Sequence, residues 1–201
     1  MLVLLAVIPA MDAVYLTGKA HLAQWLIARS WHSEQPAAKP WPWADTHPIA
    51  KIDVPAVSMR AWVLNGATGH SLSFGPGLAD GSVPIGQPGV VLIAGHRDTS
   101  FQPLQHVQHG DSILLEDEAR QSFAYRITDI SIADARYSTI NTATHGATLI
   151  LVTCYPFDAL TAGGPLRYVV QAELITDTGT DLQTTSSTAD AMLSTTIVRQ
   201  L

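Results

Sequence analysis

Three kinds of apolar patterning divide the chain. Residues 1–16, MLVLLAVIPAMDAVYL, are almost wholly apolar, broken by Pro9 and Asp12. A run of that length falls short of the roughly 20 residues that cross a bilayer's hydrocarbon core. Neither a basic n-region nor a small-x-small cleavage site follows Met1, which argues against a cleavable signal peptide. The expectation is an uncleaved N-terminal membrane-anchor helix whose extreme N-terminus is missing from this chain, with a buried core helix as the alternative. Leu16, Ala20, Ala23, Ile27 and Trp31 then recur at helical spacing and predict an amphipathic helix prolonging the anchor, with Trp25 and Trp31 at an interface. Pro36, Pro40, Pro42 and Pro48, with Pro55 just downstream, disfavour helix and predict an extended tether, so the folded domain is expected to begin near Pro48.

Beyond Pro48 the period changes from helical to two. Val57, Met59, Ala61 and Val63 alternate with Ser58, Arg60 and Trp62, which marks a half-buried strand. Phe123, Tyr125 and Ile127 alternate likewise, as do Leu166, Tyr168 and Val170. GVVLIAG (89–95) and ATLILVTC (147–154) are short continuous apolar runs, as expected of strands buried on both faces. Gly, Pro and Asp clusters such as FGPGLADGSVPIGQPG, HGD and TAGGP punctuate these runs as turns. Many short strands with little helix predict a mainly β fold, a closed or nearly closed barrel. Residues 177–201, rich in Thr and Ser without sustained period, read as a C-terminal tail. The expected division is therefore anchor and amphipathic helix over 1–35, tether over 36–47, barrel over 48–176 and tail over 177–201.

Composition narrows the function classes. With 201 residues, the chain is long enough for one domain with appendages and too short for two ordinary domains. Apolar residues make up 47% and charged residues 14%, and the net charge is −6. Eleven basic residues scattered without a patch argue against a nucleic-acid partner. The one cysteine, Cys154, precludes an intramolecular disulfide and leaves a single thiol.

A lone cysteine is commonly a small buried hydrophobe. Cys154, however, ends an apolar strand and is followed by Tyr155-Pro156, where a turn must begin. Strand ends are where a rigid scaffold hands side chains to a cleft. His96, in IAGHRDT, ends the other continuous apolar run in the same way. A free thiol with its ordinary pKa near 8.5 is mostly protonated at neutral pH, so a neighbouring imidazole or cation is needed to make it a nucleophile. Seven other histidines compete for that place, His106 and His109 in a short helix and turn, and His145 in a loop. Arg167 starts the strand LRYVVQAELI thirteen residues after Cys154. If the two strands are antiparallel neighbours, it returns beside the thiol, where a guanidinium could stabilise an oxyanion. The alternatives are a solvated strand arginine and, for the same role, Arg97, although a residue directly after His96 on an extended chain points to the opposite side.

Other motifs carry less. HRD suggests a kinase, but the Asn required five residues after the Asp is Pro103, and no Gly-rich phosphate loop accompanies it. The spacing of His106 and His109 is metal-like, yet no thiolate or carboxylate pattern completes a zinc site. Glu116-Asp117-Glu118 reads as a solvated hairpin tip rather than a calcium site.

Taken together, PWPWADT, LSFGPG (72–77), AGHRDT (94–99), ILVTC (150–154) and above all CYPFDALTAGGPLRYVV (154–170) resemble the sortase family, and specifically its Gram-negative, proteobacterial subgroup. The resemblance covers roughly residues 41–173. It departs at Ile150, where relatives carry Thr, and at Leu78, where they often carry His. It implies an eight-stranded β-barrel with catalytic His96, Cys154 and Arg167, and no metal or organic cofactor. The implied substrate is a secreted protein with a C-terminal Leu-Pro-x-Thr-like sorting signal, cleaved through a Cys154 thioester that an amine acceptor resolves. The implied location is the bacterial inner (cytoplasmic) membrane, with a single-pass anchor and the catalytic domain on the periplasmic side. An L,D-transpeptidase would carry Arg two residues after Cys, where this chain has Pro156. A hydrolytic cysteine peptidase would use the same residues, and a non-catalytic β-barrel binding module would bury an inert thiol.

Overall fold

The computed structural model describes residues 18–139, 146–159, 161 and 163–175. The eight strands are β1 (Pro48–Val54), β2 (Met59–Asn65), β3 (Gly77–Leu78), β4 (Gly89–Ala94), β5 (Ser112–Asp117), β6 (Ser122–Asp134), β7 (Ala147–Cys154) and β8 (Leu166–Leu174). They close a barrel in the order β1-β2-β3-β4-β7-β8-β6-β5, with β1 pairing β5 to complete the ring. Closure leaves no edge strand to template aggregation. Most neighbours are antiparallel, but β2 runs parallel to β3, and β4 runs parallel to β7, from Gly89 opposite Ala147 to Ala94 opposite Val152. Of the acidic run at 116–118, Glu116 and Asp117 are half-buried and end β5 in register with Lys51 and Ala50 of β1, so only the exposed Glu118 stands in the turn before β6 and the expected solvated tip is confined to it.

Burial explains which strands were legible as unbroken apolar runs. Val91 and Ile93 of β4 and Leu149 and Leu151 of β7 face the barrel interior, where they pack with Tyr125, Phe101 and Val170. Alternate residues Val90, Leu92, Ile150 and Val152 form a second cluster on the outer face with Ala67, Ala79 and Val169. Both faces of these two strands are therefore dry, so no polar alternation is needed. On β5, Ile113 and Leu115 are fully buried while Leu114 is exposed, the pattern of a strand wet on one face. Where β3 leaves the LSFGPG segment, a Cβ on Gly77 would lie 2.2 Å from the Gly66 carbonyl oxygen, so only glycine lets the two backbone segments approach.

The N-terminal part differs from its sequence reading. A helix α1 spans 18–31, and its Ile27 and Trp31 are buried against the barrel. The Trp31 ring lies 5.5 Å from that of Trp62, the Arg120 guanidinium sits 4.4 Å over it, and Arg120 Nη2 donates to the Trp31 carbonyl oxygen at 2.7 Å. Trp31 thus belongs to the protein interior and not to an interface, while Trp25 is exposed. The expected tether over 36–47 is irregular but docked. Pro40, Ala44 and Thr46 are buried. Thr46 Oγ1 donates to the Asn65 carbonyl at 2.8 Å, and Trp41 meets Phe74 at 5.0 Å. Asp45 accepts from His70 Nδ1 at 2.9 Å, and this bond holds the Asp45 carboxyl below its ordinary range. A further short helix α2 (Gly69–Leu72) and two 3-10 turns (Pro55–Val57 and Gln102–His106) complete the described elements. Segment 1–16, for which a membrane anchor is expected, the tail 177–201 and His145 lie outside the described residues. Among the described residues, no helix is long and apolar enough to cross a membrane.

This docking carries a measurable cost. Truncating a well-buried tryptophan removes a large apolar area and leaves a cavity, worth about 3 kcal/mol at the low end for such changes. Trp31→Ala is therefore expected to lower the thermal midpoint by roughly 10 °C. An unchanged midpoint would mean that α1 is not part of the cooperative unit.

Candidate active site

Three strand ends converge on one outer face of the barrel. The β7–β8 register runs from Thr148 opposite Glu173 to Cys154 opposite Arg167. Directly opposed residues on antiparallel strands share a face, with Cβ atoms about 4.5–5.5 Å apart. Because Leu149, Leu151, Val170 and Ala172 face the interior, alternation puts Cys154 and Arg167 outside, in the row that contains Val152 and Val169. On the other side of β7, the β4 ladder continues one residue beyond its last pair. Gly95 N–H donates to the Val152 carbonyl at 3.1 Å, and Thr153 Oγ1, itself buried, donates to the Gly95 carbonyl at 2.8 Å. The next residue, His96, follows as the chain leaves the ladder beside the end of β7. The central thiol is thus flanked by an imidazole-bearing residue on one side and a guanidinium-bearing residue on the other.

Local sequence explains each placement. A Cβ on Gly95 would lie 2.7 Å from the Phe101 ring, which is fully buried, so glycine lets the chain seat on Phe101 just before His96. The His96 carbonyl then accepts from Phe101 N–H at 3.0 Å and Thr99 N–H at 3.4 Å, closing a turn over 96–101 that leaves the His96 side chain exposed. Cys154 is a half-buried free thiol. Arg167 is braced on its own loop, where Nη1 donates to the Gly164 carbonyl at 2.7 Å and the Leu166 carbonyl at 3.1 Å. Beneath the loop, Tyr155 stacks on Tyr168 at 6.4 Å, and Phe157 meets Tyr168 edge-on at 5.1 Å. Burial, with Tyr155 nearby, pushes the Tyr168 phenol above its ordinary range.

Arg97 is where the sequence reading fails. An extended chain would point it away from Cys154, but residues 97–100 turn, and its guanidinium is buried at 6% exposure. Nε and Nη2 donate to the two Asp98 carboxylate oxygens at 2.7 and 3.3 Å. Nη1 donates to the Pro156 carbonyl at 2.6 Å and Nη2 to the Ala159 carbonyl at 3.0 Å. The bonded Asp98 carboxylate holds Arg97 above the ordinary arginine range. Arg97 in turn holds Asp98 below the ordinary carboxylate range. With its donors given to these acceptors, Arg97 is poorly disposed to serve as an oxyanion donor. The turn-forming residues Asp98-Thr99 were the available signal that the strand had ended. His106 and His109 stand elsewhere, His106 ending the 3-10 turn and His109 Nδ1 at 3.1 Å from the Thr128 carbonyl.

Comparisons with known proteins bear on the family and the fold. A model of the sortase domain matches residues 52–175, more than half of the chain. Sortase D of Bacillus subtilis (strain 168) is 29% identical over 126 residues, covering 62% of this chain and 63% of that protein's own length. The chain thus matches somewhat less than two thirds of that relative. A Clostridium perfringens Sortase D5 transpeptidase superposes with a TM-score of 0.55 at 27% identity, over 65% of this chain and 80% of the other. Sortase A of Listeria monocytogenes gives 0.56 at 27%, over 64% and 88%.

Proposed function

Since the chain belongs to the sortase family, we propose that it is a cysteine transpeptidase in which Cys154 is the nucleophile, His96 the acid/base and Arg167 the oxyanion-stabilising cation. The observation that supports this reading is that β7 runs between β4 and β8, with Cys154 opposite Arg167 and with β4 ending at Ala94 opposite Val152, two residues before His96. In the first step His96 takes the thiol proton and Sγ attacks the scissile carbonyl carbon. The electron pair displaced onto oxygen forms a tetrahedral oxyanion beside Arg167. Collapse breaks the C–N bond as the imidazolium returns its proton to the leaving amine, leaving a Cys154 thioester. An amine acceptor then attacks the thioester, its proton passes to His96, and the new amide leaves with the thiolate restored. Two acyl transfers of this kind need no metal or organic cofactor.

The substrate in this reading is a secreted protein with a C-terminal Leu-Pro-x-Thr-like sorting signal, and the acceptor is an amine. The apolar segment 1–16 supports a single-pass anchor in the inner membrane with the barrel on the periplasmic side, and the motifs quoted above support the Gram-negative subgroup. Incubating the protein with a Leu-Pro-x-Thr peptide series and a primary amine tests the reaction. The expected result is an amine-linked product that rises with amine concentration at the expense of hydrolysis. Cleavage indifferent to amine would make the enzyme a hydrolytic peptidase.

A further inference from the structure

Arg97 is a charged side chain with almost no solvent contact, and no step of the proposed reaction uses it. A cation in that position costs desolvation unless its donors are matched. Here they are matched by groups from two distant parts of the chain. Asp98 belongs to the turn that carries His96, while Pro156 and Ala159 belong to the loop that leaves Cys154, 59 and 62 residues away. Pro156 lies two residues after the thiol and Arg97 one residue after the imidazole. The guanidinium therefore ties the two chemical partners together just beyond the point where the β4–β7 ladder ends.

We propose that Arg97 is a positioning residue that clamps the Cys154 loop to the His96 turn and fixes the separation of thiol and imidazole. The proposal rests on the assigned roles of Cys154 and His96. The planar fork is essential to it, because four bonds leave one guanidinium in different directions toward a carboxylate and two carbonyls. Lysine keeps the charge but presents it at one point. Catalysis between two groups is sensitive to placement at the level of about 1 Å, a shift that costs on the order of 10²-fold.

The test compares wild type, Arg97→Lys and Asp98→Asn in two assays. One measures kcat and KM on a Leu-Pro-x-Thr peptide with an amine acceptor. The other measures the rate of Cys154 alkylation by iodoacetamide at neutral pH, which reads the thiol and imidazole without any substrate. For Arg97→Lys the clamp predicts a loss in kcat of about 10- to 100-fold, a change in KM below about threefold, and alkylation slowed about tenfold. Asp98 is largely exposed, so Asp98→Asn keeps the fold even if Arg97→Lys does not, and is expected to lower kcat and alkylation severalfold. Both variants at wild-type rates in both assays would overturn the clamp. A drop in KM-linked binding alone, with alkylation unchanged, would also overturn it, since that is what a loop serving substrate fit would show. Wild-type protein that alkylates readily but cleaves no peptide would sink the transpeptidase reading, while the alkylation arm would still decide the role of Arg97.

Discussion

Cys154→Ala is expected to reduce peptide cleavage to background, and His96→Ala to reduce it by about 10²–10⁴-fold, the usual contribution of a positioned acid/base. Neither loss should come from unfolding. His96 is exposed beyond the last rung of the β4–β7 ladder, and Cys154 is half-buried at the last position of β7. Substitutions at such places change stability by about 1 kcal/mol or less. Thermal midpoints within a few degrees of wild type should therefore accompany the collapse in turnover. Near wild-type cleavage by either variant, measured on one peptide under saturating conditions, would remove that residue from the mechanism.

Arg167→Lys should lower kcat by about 10²–10³-fold, the effect of losing one oxyanion donor. Affinity for the peptide should change much less, because the oxyanion exists only along the reaction path. The structure adds a physical reason for intolerance of lysine. One guanidinium nitrogen donates to the Gly164 and Leu166 carbonyls, which braces a residue that pairs with Cys154 across the β7–β8 ladder. An ammonium group presents its charge at one point and cannot reproduce the planar, directional bonding of the guanidinium. Kinetic constants for Arg167→Lys decide the point. A mild effect there would mean that backbone N–H groups near Cys154 hold the oxyanion, and the β7–β8 loop would become the place to look.

Much of this site was written into the sequence in a readable form. The runs 89–95 and 147–154 are unbroken because both faces of β4 and β7 are dry, and that same burial makes their ends conspicuous. The His96 and Cys154 positions follow from where those runs stop. Arg167 followed from the assumption of antiparallel pairing, and β8 does pair β7 in that sense. What could not be read depends on contacts between residues far apart in the chain. Trp31 occupies its buried place because Trp62 and Arg120 meet it there, and helical periodicity alone cannot say which partner a buried stripe will find. The Pro-rich segment at 36–47 lacks any period, yet Thr46 and Trp41 dock through Asn65 and Phe74. Arg97 was misread because strand alternation was carried one residue past the point at which His96 begins a turn. β3, with two residues, is too short to leave a period at all.

The central claim is that Cys154 carries the acyl group between donor and acceptor. Intact-protein mass spectrometry after brief mixing with a sorting-signal peptide and no amine tests it most directly. The account predicts an adduct equal to the N-terminal fragment of the peptide, located on Cys154, released by hydroxylamine and absent from Cys154→Ala. Peptide cleavage with no such adduct at any mixing time, or an adduct that persists in Cys154→Ala, would contradict it.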